Sequence, residues 1–128
     1  MKLNPDCIRD ILLTVEQIPD LHHHWDFNSE TISELFPMYS FDEVMYHLHQ
    51  CELNGFFVNP SHNASYSCYT VYDLAPSGHT FLANIRNDTF FNNVKEICKK
   101  LGIISLEGLT TVASNCAMML IKSYFNLP

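Results

Sequence analysis

Ile8, Ile11, Leu12, Val15 and Ile18 recur at steps of three and four, the spacing that lines one face of an α-helix. Asn4 offers a side-chain cap ahead of them and Pro5 fits the first helical position. Asp6 and Asp10 lie toward the end where the macrodipole is positive, and Pro19 stops the run. Leu21 to Phe27 reads as irregular or as a short strand. A second, short helix begins at Asn28 or Ser29, turns Ile32, Leu35 and Phe36 to one side and ends at Pro37. The third helix is better delimited. Ser40-Phe41-Asp42-Glu43 has the form of a capping box, Phe41, Val44, Met45 and Leu48 point inward with Cys51 at the edge, and Asn54-Gly55 closes it.

The period then changes. Phe56-Phe57-Val58 and Tyr66 to Leu74 are aromatic and β-branched runs, separated by the polar loop Asn59 to Ser65, and they predict a hairpin. Pro76 opens a fourth helix that buries Phe81, Leu82 and Ile85. Asp88 caps a fifth, with Phe90, Phe91, Val94, Ile97, Cys98 and Leu101 as its stripe, and Lys99, Lys100 and Gly102 suit its end. Ser105 opens a last helix carrying Leu106, Leu109, Val112, Ala113, Cys116, Leu120 and Tyr124 on a broad apolar face. The resulting order is mainly α with a small β-hairpin: a winged helix-turn-helix over residues 4–87, then two C-terminal helices over 88–128, in one domain spanning 1–128. Met118, Met119 and Ile121 widen the apolar surface of the last helix beyond one stripe, which fits a dimerisation element.

At 128 residues with 47% hydrophobic and 12% aromatic positions, the chain can bury a core and is not disordered. Its longest strongly apolar run, Cys116 to Ile121, is far short of the ~20 residues that span a bilayer. The N-terminus carries no export signal, and five dispersed cysteines without a C-x-x-C pair read as buried thiols, so the expected location is the cytoplasm. Seven Lys and Arg against fourteen Asp and Glu give a formal charge of −7. A duplex-DNA reader needs a basic face to displace counterions from phosphate, so the positions of the seven cations matter more than the sum.

With its stripe turned to the core, the third helix presents Asp42, Glu43, Tyr46, His47 and Gln50 outward, where a groove-reading helix would carry Arg, Lys, Asn or Gln. The wing, with Asn59, Ser61, His62 and Asn63, has no Lys or Arg either. Lys2, Arg9, Arg86, Lys95, Lys99, Lys100 and Lys122 all lie elsewhere. DNA binding through this face is therefore disfavoured, and the expected partner is a protein or a second copy.

No reactive constellation emerges. His22-His23-His24 cannot turn three imidazoles onto one ion, and they read as a solvated loop. His47, His49 and Cys51 step by two along a helix, which points neighbours about 200° apart. His47 and Cys51 are one turn apart, but two ligands do not make a site, and they read better as residues at the edge of the core. Glu52 falls near the inward side of the third helix, where the helix end is expected to be exposed, with a salt bridge to Arg9 or Arg86 as the weaker alternative. No nucleophile elbow, P-loop or glycine-rich phosphate turn is present. The expectation is a non-enzymatic protein with no cofactor and no metal.

Three segments carry a resemblance: Met1 to Leu13, Tyr39 to Leu48, and Asp73 to Asp88. In the same order along nearly the whole chain, they resemble a family of short uncharacterised proteins from phages, prophages and other mobile elements. The resemblance implies a winged-helix fold with a helical tail, and it brings no catalytic residue, cofactor or activity. Phage context implies occlusion of a host or defence factor, a CRISPR nuclease for example, with a dimeric transcriptional regulator as the alternative. One departure stands out: the turn before the fourth helix is similar to the common Leu-Thr-Pro-x-Gly opening, but Ala75 replaces Thr. Losing that cap costs about 0.5–2 kcal/mol.

Overall fold

The computed structural model describes residues 1–126 and 128. Among them, in chain order, are α1 (Pro5–Glu16), β1 (Trp25–Phe27), α2 (Ser29–Leu35), α3 (Phe41–Leu53), β2 (Phe57–Val58) and β3 (Ser61–His62). There follow β4 (Tyr69–Val71), β5 (Asp73–Leu74), α4 (Pro76–Ile85), α5 (Asp88–Leu101) and α6 (Leu106–Tyr124). The protein is mainly helical with short antiparallel strands in two sheets, ordered β1-β4-β3 and β2-β5. Trp25 faces Val71 and Phe27 faces Tyr69 across one ladder, His62 faces Tyr69 across the next, and Phe57 pairs with Leu74. No helix of the described residues is long and apolar enough to cross a membrane.

The helix boundaries follow the local chemistry, with three corrections. Asn4 Oδ1 accepts the Asp6 N–H at 3.0 Å, as expected. At α3, Ser40 Oγ accepts the Glu43 N–H at 3.1 Å, but the return bond from the Ser40 N–H to the Glu43 carboxylate is not among the described hydrogen bonds. The reciprocal box belongs instead to α2, where Asn28 Oδ1 accepts the Glu30 and Thr31 N–H groups at 3.0 Å and the Thr31 hydroxyl accepts the Asn28 N–H at 2.8 Å. Asn87, not Asp88, caps α5 by accepting the Phe90 N–H at 3.0 Å, and Asp88 is turned to Arg9 at 2.6 Å. Finally, α1 stops at Glu16 with Gln17 as its C-cap, short of Ile18.

The polar loop Asn59 to Ser65 is also shorter than the sequence suggests, because Ser61–His62 joins the sheet as β3. Conversely, Tyr66 to Cys68 belong to the turn and not to the strand. Asn63 Oδ1 accepts the Ser67 and Cys68 N–H groups at 2.8 and 3.2 Å, and Tyr66 sits at φ +53°. This side-chain mimicry of a backbone turn is a regular use of Asn.

The buried residues form one cluster, from Cys7 and Ile8 on α1 to Leu109 and Ala113 on α6. Cys51 lies fully inside it and not at its edge. The long stripes of the tail are only half used. Phe91, Val94 and Cys98 on α5 and Leu106, Leu109 and Ala113 on α6 are buried, whereas Leu101, Leu120 and Tyr124 are exposed.

One joint fixes α3, β2 and α4 together. Gly55 takes φ +71°, its N–H reaches Glu52 O at 2.9 Å, and the Phe56 N–H reaches Cys51 O at 3.0 Å. That is the Schellman closure, which satisfies two otherwise orphaned carbonyls. The Phe56 carbonyl then accepts the Ala75 N–H at 2.8 Å, and the Ser77 hydroxyl donates to Gly55 O at 2.8 Å. Gly78 packs so close that a Cβ there would lie 2.5 Å from Phe56 O. Ala75 occupies the N-cap of α4 in extended geometry with no side-chain bond, as its methyl group requires.

Two outcomes are expected here. Gly78→Ala should lower stability by about 1–3 kcal/mol through the clash with a fixed backbone, although Ala is the better helix former by about 1 kcal/mol. Ala75→Ser should raise it by about 1 kcal/mol. Urea midpoints at unchanged m-value measure both, and a neutral Gly78→Ala would contradict the packing described.

Candidate binding surface

The outward face expected of α3 is only partly outward. Asp42 is exposed and Glu43, Tyr46 and Gln50 are half-buried, but His47 is fully buried. Its Nε2 lies 2.7 Å from the Asn4 backbone nitrogen and its Nδ1 lies 2.7 Å from the Glu43 carbonyl. An amide can only donate, so Nε2 accepts and the ring proton sits on Nδ1, donating to Glu43 O. The imidazole is thus a neutral strut between α3 and the start of α1. Burial pushes its pKa down, partly offset by the Glu43 carbonyl and carboxylate. His47 cannot read a groove. The signal was present: His47 is three residues after Val44 and four before Cys51, hence within about 60° of the core stripe. What the sequence did not reveal is that α1 begins against that flank.

In the segment between β2 and β4, Asn59, Ser61, His62 and Asn63 are exposed. Sequence reasoning missed their neighbours. His62 stacks on Tyr66 with centroids 4.1 Å apart, and His49 of α3 meets both rings edge-on at 6.2 and 5.5 Å. Glu52, one turn after His49, accepts the hydroxyl of Tyr69, so neither Arg9 nor Arg86 is its partner and the helix end is not simply solvated. Burial first, then that hydrogen bond to Glu52, raise the Tyr69 pKa strongly and keep the phenol a donor. The cluster could not be read from the chain, because only the pairing of β3 with β4 brings His62 to α3.

Three of the seven cations are neutralised inside the protein. Arg9 binds Asp88 at 2.6 Å, Lys95 binds Asp6 at 2.8 Å, and Arg86 forms a two-point pair with Glu16. Arg9 and Lys95 also lie over the buried Phe91 ring, 5.0 and 4.7 Å from its centroid. Lys2, Lys95 and Lys99 share one cleft with Tyr46, floored by Leu3, Ile103 and Leu109. His22, His23 and His24 are exposed, with His23 at 2.7 Å from Asp20. Among the thiols, burial pushes Cys7 up to about 12 and Cys51 well above its ordinary value.

On α6, Met118, Met119 and Ile121 are at least half exposed, together with Leu120, Tyr124 and Phe125. Of these, Met119, Leu120 and Ile121, with Phe90, Ile97 and Cys116, edge two shallow grooves along α5 and α6.

The protein is thus mainly helical with short antiparallel strands, a sealed core and an exposed apolar end of α6. The chain belongs to the family described as hypothetical protein (DUF2513), which matches residues 2–104, from α1 to the turn before α6. No curated protein and no solved structure matches it.

The buried imidazole makes stability depend on pH. The unfolded chain protonates His47 below its ordinary pKa of 6.5, while the fold holds it neutral. The unfolded state then binds more protons, so stability is full above that value and falls as pH drops below it. Urea unfolding at about pH 7.5 and 5.5 should give a smaller loss in His47→Gln than in the natural chain. At the higher pH the variant should be weaker by about 1–3 kcal/mol, from the disturbed Asn4 and Glu43 bonds. An unchanged pH slope would refute the strut.

Proposed function

We propose that residues 4–87 form a winged helix-turn-helix, with α2 and α3 as its helix pair and the segment from β2 to β5 as its wing. Residues 88–128 form a helical tail within the same domain. The helix order, the two antiparallel sheets and the tight α3–β2 joint support this reading. The protein acts without catalysis, through contacts with another protein: a host or phage factor, or a second copy of itself. In a mobile-element setting the contact occludes a host machine, such as a CRISPR or restriction nuclease.

The observation that carries this reading is the outer half of α6. Met119 is 70%, Leu120 61% and Tyr124 80% exposed, on a helix whose first half buries Leu106, Leu109 and Ala113. A run of large apolar side chains left in water at one end of a well-packed protein marks a protein contact. The surface of α3 and the wing adds to it, since no Lys or Arg stands there to meet phosphate. A DNA-binding regulator is the second reading, favoured by the cleft that gathers Lys2, Lys95 and Lys99 beside Tyr46.

Light scattering on the pure protein and affinity capture from infected-host lysate test the first reading, with a salt-titrated gel shift on the neighbouring promoter as counterpart. The natural chain should self-associate or retain a specific protein. Met119→Glu combined with Ile121→Glu should abolish either while leaving the circular dichroism unchanged. A monomer that captures nothing would sink the proposal. So would sequence-selective DNA binding with a steep salt slope that Lys95→Gln and Lys99→Gln flatten.

A further inference from the structure

We infer that His49, Glu52 and His62 form a binding site for one divalent first-row transition ion, of the zinc type, which pins the wing to α3. The inference stands apart from the choice of partner above. One ligand atom from each of the three residues lies within 4.8 Å of the others. His49 and Glu52 are three residues apart on α3 and therefore share a face, and β3 delivers His62 to the same face.

The surroundings support the ligand set. His49 Nδ1 is buried and has no hydrogen-bond partner, a costly state for a ring nitrogen unless something occupies the space before it. His62 Nδ1 is 2.9 Å from the Asn63 carbonyl, which places its proton there and leaves Nε2 as a lone-pair donor. Tyr69 donates to Glu52 Oε1, leaving Oε2 free. A carbonyl fixing the tautomer of a histidine and a phenol orienting a carboxylate are the outer-shell contacts that metal ligands use.

Two imidazoles and a carboxylate are borderline donors suited to zinc, and three protein ligands leave a fourth position for water or a partner's side chain. Ligand atoms about 2.0–2.2 Å from a tetrahedral ion stand about 3.3–3.5 Å apart. The wing must therefore close by about an ångström, and His62 is the exposed member able to move. His62 rests on Tyr66, whose own backbone is held at φ +53°.

The test uses the full chain, stripped with a chelator and kept reduced, titrated with Co²⁺ and then competed with Zn²⁺. One equivalent of Co²⁺ should give visible d–d bands without thiolate-to-cobalt charge transfer, and Zn²⁺ should displace it and raise Tm. His49→Ala, Glu52→Gln and His62→Ala should each weaken binding by about 100-fold, and Tyr69→Phe by about tenfold. Cys68→Ser and the combined His22→Ala, His23→Ala, His24→Ala variant should bind as the natural chain does. Circular dichroism of the metal-free variants checks folding, and His62→Ala, lying at the exposed wing, carries the test should His49→Ala unfold. Thiolate bands, binding that survives His62→Ala, or binding lost with the His22–His24 triple would each overturn the site.

Discussion

The backbone of Gly55 and Phe56 is the constraint on which the rest of this protein depends. Its two N–H groups close α3 on Glu52 and Cys51, and its carbonyls hold Ser77 and Ala75 at the start of α4. An end of one helix and the beginning of another thus share a single peptide pair. Nothing larger than a glycine at position 78 fits against it. The chain leaves that joint directly into β2, and β2 pairs with β5 immediately before α4, so the strands between them are looped out on one side. The segment between β2 and β5 therefore leaves and returns to one fixed root, and sends Tyr69 and Val71 back into the core.

Two histidines of α3 have opposite fates for a simple geometric reason. His47 and His49 are separated by about 200° around the helix. One turns into the seam with α1 and is held neutral between an amide and a carbonyl. The other turns toward β3 and the turn after it, and meets His62, Tyr66 and the carboxylate end of Glu52. A similar division governs charge. The acidic excess is spent partly on neutralising Arg9, Arg86 and Lys95 across the interfaces of α1 with α4 and α5. Pairs of this kind are individually weak where exposed, but they remove cations from the free surface.

Much of the fold was legible because its signals are local. Asn4, Asn28, Ser40, Gly55, Pro76, Gly102 and Ser105 each act on the backbone within four residues of themselves, and the structure uses every one. Errors occurred where two local candidates competed, as Asn87 did with Asp88, or where a side chain replaced a backbone turn, as Asn63 does in the loop. The candidate site was far less legible. Tyr46, Gln50, Asn59, Ser61, His62 and Asn63 stand near the surface, but His47 does not face outward, because its burial depends on the docking of α1, more than forty residues away.

The sequence by itself determined the helices, most of their caps, the two strand-forming runs and the absence of Lys or Arg from α3 and the loop after β2, since periodicity, capping and charge are properties of neighbouring residues. Only the tertiary structure decided which polar groups meet across elements: His47 with Asn4, Glu52 with Tyr69, His62 with His49, and Arg86 with Glu16. It also decided that the packing of α6 runs out halfway, leaving its last two turns bare. These contacts join residues distant along the chain, and their geometry is set by how the elements pack and not by any local preference.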